Sequence, residues 1–199
     1  MKYFGFFEDG KAEGRGERTW PNGAKYVGLF KDDQLNGKGV YTWPSGLKYF
    51  GLFKDGMFSD KKGQKVWPDG RKYEGGFVKD KREGFGTFTW RNGETYTGEF
   101  RNDKIEGDGE KSWASGAKYV GEFADGQPNG KGQLTFSSGA KYTGNFEEGK
   151  ADGEGTTVWP DGSKYEGKFV DEKRTGQGVY VWGSGAKYTG QFKDDRLTG

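Results

Sequence analysis

Tyrosine recurs at Tyr3, Tyr26, Tyr49, Tyr73, Tyr96, Tyr119, Tyr142, Tyr165 and Tyr188, a spacing of 23 residues with one step of 24 between Tyr49 and Tyr73. A fixed period of this length means a stacked array of one small unit, each copy touching its neighbours. Counting each tyrosine as zero, glycine stands at +2 and phenylalanine at +4 in all nine copies, from Gly5 and Phe7 to Gly190 and Phe192. A glycine pair follows at +11 and +13 (Gly14 and Gly16, Gly37 and Gly39, Gly84 and Gly86), then an aromatic at +17 (Trp20, Trp43, Trp90, Trp113, Phe136, Trp159, Trp182) and glycine at +20.

These intervals fit strands. Side chains alternate across a strand, so Tyr, Gly and Phe at zero, +2 and +4 share one face of a first strand, and the glycine pair with its Trp shares one face of a second. Rings on one strand then cover bare backbone on the next, which makes the framework set Tyr26, Gly28, Phe30, Gly37, Gly39 and Trp43 structural. Composition agrees: only 30% of residues are hydrophobic, yet 17% are aromatic beside 39 glycines, which is unlike a disordered chain. Polar segments such as 31–36 separate the two strands, and Trp-Pro-Asn-Gly at 20–23 carries turn chemistry, with proline setting a negative φ and glycine free to turn left-handed. The expected fold is all-β: an elongated, twisted, single-layer antiparallel sheet of stacked 23-residue hairpins. Some seventeen strands at ~4.8 Å would span about 80 Å. All of 1–199 reads as one array, with a partial last unit at Tyr188.

In the form YxGxF, loop, GxGxxxW, turn with glycine, the whole chain resembles the MORN repeat family. The resemblance implies an elongated array of β-hairpins with roles in protein scaffolding, attachment to membrane-linked structures and sometimes phosphoinositide association; the expected location is the cytoplasm, with membrane or cytoskeletal association left open. It also allows the chain to be the targeting part of a larger enzyme. The family's histidine before the glycine pair is replaced by Glu13, Asn36, Asp60, Glu83, Glu106, Asn129, Asp152 and Thr175, so no role of that histidine carries over. The third unit has one extra residue and, counted back from Gly63, Lys61 where the first glycine of the pair belongs, which predicts a bulge or kink.

Catalysis is disfavoured, because with neither His nor Cys the usual nucleophile and base constellations are missing. The Gly-x-Gly pairs do not open a helix and are not phosphate loops. Acidic pairs at hairpin tips, Glu147-Glu148 and Asp194-Asp195, read as solvated charge. No cofactor is expected. A net charge of +2 with both signs intermixed argues against nucleic acid.

Two surfaces remain as candidates for partners. Positions +1 and +3 lie opposite the tyrosines, and the first three units place Phe4, Phe6, Val27, Leu29, Phe50 and Leu52 there, while later units are mostly polar. Such a patch marks an interface, unless Met57 and Phe58 of the irregular loop, or the chain's own N-terminus, fold over it. On the same side the series Lys25, Lys48, Lys72, Lys118, Lys141, Lys164 and Lys187 forms a ladder able to meet anionic lipid headgroups. Glu74, Glu99, Glu122 and Glu166 share that side and would neutralise it by ion pairing. The aromatic face is a second candidate, as a groove for a partner's helix or extended segment. The chain stops where the next glycine pair would begin. The expectation is therefore a fragment of a longer array, or ends that pair in a homodimer or end to end. A protein partner, self-association and an anionic membrane surface all stay open.

Overall fold

The computed structural model describes residues 1–198, all strand and turn, with no helix among them. The chain divides into two compact units, one of residues 1–104 and one beginning at Ile105.

The first unit holds β1 (Lys2–Glu8), β2 (Lys11–Thr19), β3 (Lys25–Lys31), β4 (Gln34–Thr42), β5 (Lys48–Lys54), β6 (Met57–Phe58), β7 (Asp60–Val66), β8 (Lys72–Val78), β9 (Lys81–Thr89) and β10 (Thr95–Arg101). Successive hairpin strands pair antiparallel, Gly opposite Gly: Gly5 with Gly16, Gly16 with Gly28, Gly28 with Gly39, Gly39 with Gly51. From Ile105 on, the second unit repeats the scheme in β11 (Lys104–Ser112, its first residue belonging to the first unit), β12 (Lys118–Ala124), β13 (Gln127–Thr135), β14 (Lys141–Glu147), β15 (Lys150–Val158), β16 (Lys164–Val170), β17 (Lys173–Val181), β18 (Lys187–Lys193) and β19 (Arg196–Leu197). Nineteen strands replace the expected seventeen because the irregular third repeat splits its second strand into β6 and β7, and a two-residue β19 follows the last full strand.

The core is a row of rings on one face of the strands in each unit. Tyr26, Tyr49, Tyr73 and Tyr96 in the first unit, and Tyr119 and Tyr165 in the second, have no exposed surface. Tyr26, Tyr49, Tyr73, Tyr119 and Tyr165 each stand edge-on between two phenylalanines, their own and that of the next repeat. Tyr26 lies 5.1 Å from Phe30 and 4.9 Å from Phe53, and Tyr73 lies 5.1 Å from Phe77 and 4.9 Å from Phe100. Edge-to-face pairs of this kind add about 0.5–1.5 kcal/mol each beyond the area they bury. The hydroxyls are satisfied at once, since Tyr26 Oη donates to the Leu29 carbonyl at 2.9 Å and Tyr73 Oη to the Gly76 carbonyl at 3.1 Å.

The two glycines of each pair do different work, so they do not simply share a strand face as the spacing suggests. Gly84, with φ of +73°, occupies a left-handed bulge where β8 and β9 slip register, and a Cβ there would meet open space. Gly86, two residues on, has ordinary φ and lies under the Tyr73 ring. In the third repeat the bulge is built differently. Lys61 is not left-handed; instead the Asp60 carboxylate accepts from Leu52 N at 2.8 Å and from Lys62 N at 2.9 Å, holding a wider bulge between the Phe50–Gln64 and Phe53–Phe58 pairs. The expected irregularity is therefore present, closed by a side chain in place of a glycine.

At the far end of each hairpin the anticipated turn forms. Gly23 N donates to the Trp20 carbonyl and Trp20 N to the Ala24 carbonyl, both at 2.9 Å, with Gly23 at φ of +88°. At the near end, each tip after the first donates a backbone N–H to the preceding repeat, as Asp33 to Ala12, Gly56 to Leu35, Gly149 to Pro128 and Asp195 to Arg174. Where the tip residue is aspartate, its carboxylate also accepts the N–H of that same partner, Asp33 from Ala12 at 2.9 Å and Asp195 from Arg174 at 3.1 Å. Asp195 is thus a two-way clamp between hairpins rather than free solvated charge, a correction to the reading from sequence. The aspartates tolerate the left-handed φ this needs, +67° at Asp33 and +69° at Asp195.

Candidate functional site

On the side of the first unit away from the tyrosines, Phe4 and Phe6 are 68% and 62% exposed, Val27 46%, and Leu29, Phe50 and Leu52 37% each. The pairing places them in two rows. Phe4 faces Glu17, which faces Val27, then Val40 and Phe50. Leu29 lies opposite Arg15, and Leu52 opposite Lys38. A depression of about 570 Å³ opens between the rows, lined by Phe4, Val27 and Leu29 with Arg15, Glu17 and Lys38 at its rim.

Met57 and Phe58 do not cover this patch. Phe58 points to the tyrosine face, stacked on Tyr49 at 4.0 Å and 17°, and Met57 is itself exposed. The reason is register: Phe58 stands nine residues after Tyr49, the place taken by the buried Ala12 and Leu35 in the first two repeats. Sequence reading missed Val40 and the exposed Phe85, both on second strands. Phe85 faces Glu99 and borders a further depression with Leu52 and Val78. Extending the alternation count to positions +12 and +14 would have found them.

Four of the seven ladder lysines are engaged. Lys25 pairs with Glu17 at 2.9 Å, Lys118 with Glu110, Lys72 with Glu74 and Lys164 with Glu166, each at 2.8 Å. These bonds hold the Glu74 and Glu166 carboxyls below their ordinary range. Glu122, expected to pair with a lysine chain, accepts the Lys131 N–H at 3.1 Å beside the bulge. Lys48, Lys141 and Lys187 form no ion pair among the described residues.

The tyrosine face carries a constant floor and a changing crown. Positions +9 and +15 stand above the core rings, and from the Tyr26 repeat to the Tyr165 repeat they hold Leu35 and Tyr41, Phe58 and Lys65 (shifted by the extra residue), Arg82 and Phe88, Ile105 and Lys111, Pro128 and Leu134, Ala151 and Thr157, Arg174 and Tyr180. Arg174 bonds Asp195 Oδ1 at 2.9 Å and lies over Trp159 at 5.7 Å. Lys65 is set between Trp43 and Trp67 at 5.4 and 5.6 Å, and burial there depresses its pKa. Burial likewise pushes Tyr26 and Tyr142 up to about 12. In the second unit the crown opens into a cavity of about 440 Å³ around Ala151 and Thr157.

The model of the MORN repeat matches residues 3–25, 26–48, 73–95, 96–118, 119–141, 142–164 and 165–187. The chain belongs to the MORN repeat family. The repeat left unmatched, 49–72, is the one carrying the Asp60 bulge. No curated protein matches the chain. Among solved structures it is similar to the TCP domain of Drosophila melanogaster SAS-4 (dCPAP), in complex with a proline-rich motif of Ana2, at 14% identity over 79% of this chain and 85% of that one, with a TM-score of 0.50. It also matches the TCP10 domain of Danio rerio CPAP, in complex with a STIL peptide, at 15% identity over 99% and 96% of the two chains, with a TM-score of 0.34. At 14% identity the likeness to the SAS-4 domain concerns the fold.

Proposed function

We propose that this chain is a non-catalytic protein-interaction module, a scaffold whose first partner surface is the apolar patch of Phe4, Phe6, Val27, Leu29, Phe50 and Leu52. The observation that carries the reading is the exposure of these six side chains on one face of the first unit, in two rows interrupted by Glu13, Arg15, Glu17 and Lys38. With three phenylalanines, each offering ~150–250 Å² when bare, the patch reaches the few hundred Å² at which an exposed surface is usually an interface.

The rim favours a protein occupant over a membrane. Arg15 and Lys38 alternate with Glu13 and Glu17 around the rows, so an opposing surface has to supply both signs, whereas an anionic bilayer would be repelled by the carboxylates. Ion pairing of Lys25, Lys72, Lys118 and Lys164 further reduces what the lysine ladder offers to headgroups. A sheet of this fold holds a segment of another protein in the SAS-4 TCP domain, which supports the same kind of role.

Light scattering across concentration, followed by pull-down with a set of unrelated proteins as controls, tests the patch. Replacing Phe6 and Leu29 with Glu is expected to abolish association while leaving the circular dichroism unchanged. If both variants unfold, the patch is core and the proposal fails. If association instead requires vesicles containing anionic lipid, the membrane reading replaces it.

A further inference from the structure

The third repeat shows what the crown of this sheet accepts. Phe58 lies flat on Tyr49 at 4.0 Å, with Trp43 at 5.6 Å and Phe77 at 6.1 Å around it, and it is only 7% exposed. Its ring is thus received by three aromatic walls from three successive repeats.

The repeat beginning at Tyr142 has the same walls and no ring. Phe136 stands where Trp43 does, Tyr142 where Tyr49 does and Phe169 where Phe77 does, but position +9 is Ala151. Position +15 is Thr157, where other repeats carry Tyr41, Phe88 or Tyr180, so this is the smallest crown pair from the Tyr26 repeat onward. The cavity of about 440 Å³ in the second unit is lined by Phe136, Tyr142, Ala151, Thr157, Trp159 and Phe169. Its size lies within the ~300–1,000 Å³ usual for ligand sites, and its lining also carries Glu172 and Arg174, the latter bonded to Asp195 so that the charges of this pair offset each other.

We propose that this cavity receives one aromatic side chain, phenylalanine or tyrosine, presented by an extended segment of a protein partner, in the place Phe58 fills from within the chain. Phe58 itself projects from an extended strand, β6, which supports a side chain on extended backbone as the guest. The site lies on the tyrosine face, apart from the Phe4–Leu52 patch, so its failure leaves the reading of that patch untouched.

The test is titration of the full chain with p-cresol and, separately, with the peptides acetyl-Ser-Gly-Phe-Gly-Ser-amide and its Phe-to-Ala counterpart, read by NMR at the Trp159 indole N–H. Saturable shifts are expected with p-cresol and with the Phe peptide, and not with the Ala peptide. Ala151→Phe copies Phe58 and Thr157→Tyr copies Tyr41. Either one is expected to fill the site, weaken both ligands at least tenfold and leave the melting temperature unchanged or higher. Absence of saturable shifts, or undiminished binding in Ala151→Phe, overturns the proposal. Unfolding of both variants also overturns it, because a space that cannot take a ring of its own chain cannot take a partner's. Binding of p-cresol with no response to the Phe peptide reduces the site to one for small aromatic molecules and refutes the protein guest.

Discussion

Gly84 and Gly86 sit two residues apart on one strand, and the different jobs assigned to them separate in a single pair of substitutions. A Cβ at Gly86 would stand 2.5 Å from the Tyr73 hydroxyl oxygen and 2.7 Å from two of its ring carbons. That ring cannot move aside, because it is fully buried and wedged between Phe77 and Phe100 at 5.1 and 4.9 Å. Overpacking of a rigid core costs about 1–3 kcal/mol, and with a backbone-anchored atom against a locked ring we expect the upper end for Gly86→Ala. For a unit of about 100 residues, where each kcal/mol moves the midpoint by ~4–8 °C, that is a drop of roughly 10–20 °C. Gly84→Asn faces no atom within 4 Å and only the left-handed φ of +73°. Asparagine tolerates that conformation, and the smaller entropy of its unfolded chain offsets part of the strain, so the change should stay within about 1 kcal/mol. Thermal and urea unfolding followed by tryptophan fluorescence decide the matter. Equal effects of the two substitutions, or a larger one for Gly84→Asn, would refute the division of labour between bulge and ring bed.

Asp33→Ala removes the acceptor of the Ala12 N–H and the partner of Arg18, and is expected to cost about 1 kcal/mol, since the carboxylate is half exposed and such bonds are partly screened; Asp33→Asn, which keeps an acceptor and the left-handed φ, should recover most of it in the same denaturant titration. Burial raises Tyr26, Tyr73, Tyr119 and Tyr142 to about 12, against ~10 in the unfolded chain. The folded state therefore resists their ionisation, and the stability this confers is whole below pH ~10 and lost as pH rises toward 12. Absorbance at 295 nm should show these phenols ionising together with loss of the sheet signal; ionisation of every tyrosine near pH 10 with the sheet intact would contradict the buried ring row.

The period, the strand character and the identity of the core rings were legible in the residues because they follow from local rules. A spacing of two puts Tyr26, Gly28 and Phe30 on one face, and the 23-residue repeat carries that face from hairpin to hairpin. The exposure of Phe4, Phe6 and Leu29 was legible for the same reason. What the residues could not reveal depends on which atoms meet across some twenty positions of chain. Whether the first glycine of a pair lies in the strand or in a bulge is set by the slip between two paired strands, seen only once both are placed. Asp195 looked like solvent-facing charge because its partner, Arg174 N, is 21 residues away. Phe58 could have covered the outer patch or joined the core, and only the strand break around Asp60 settles that it stacks on Tyr49. The cavity over Tyr142 is likewise a property of neighbours: Ala151 and Thr157 are unremarked as letters, and they become a site only where three repeats bring their rings around the space they leave. Sequence alone fixes a repeating framework because each unit contains its own instructions for turning and pairing. Only the tertiary structure decides where that framework is left open, because an opening is defined by side chains that different repeats contribute.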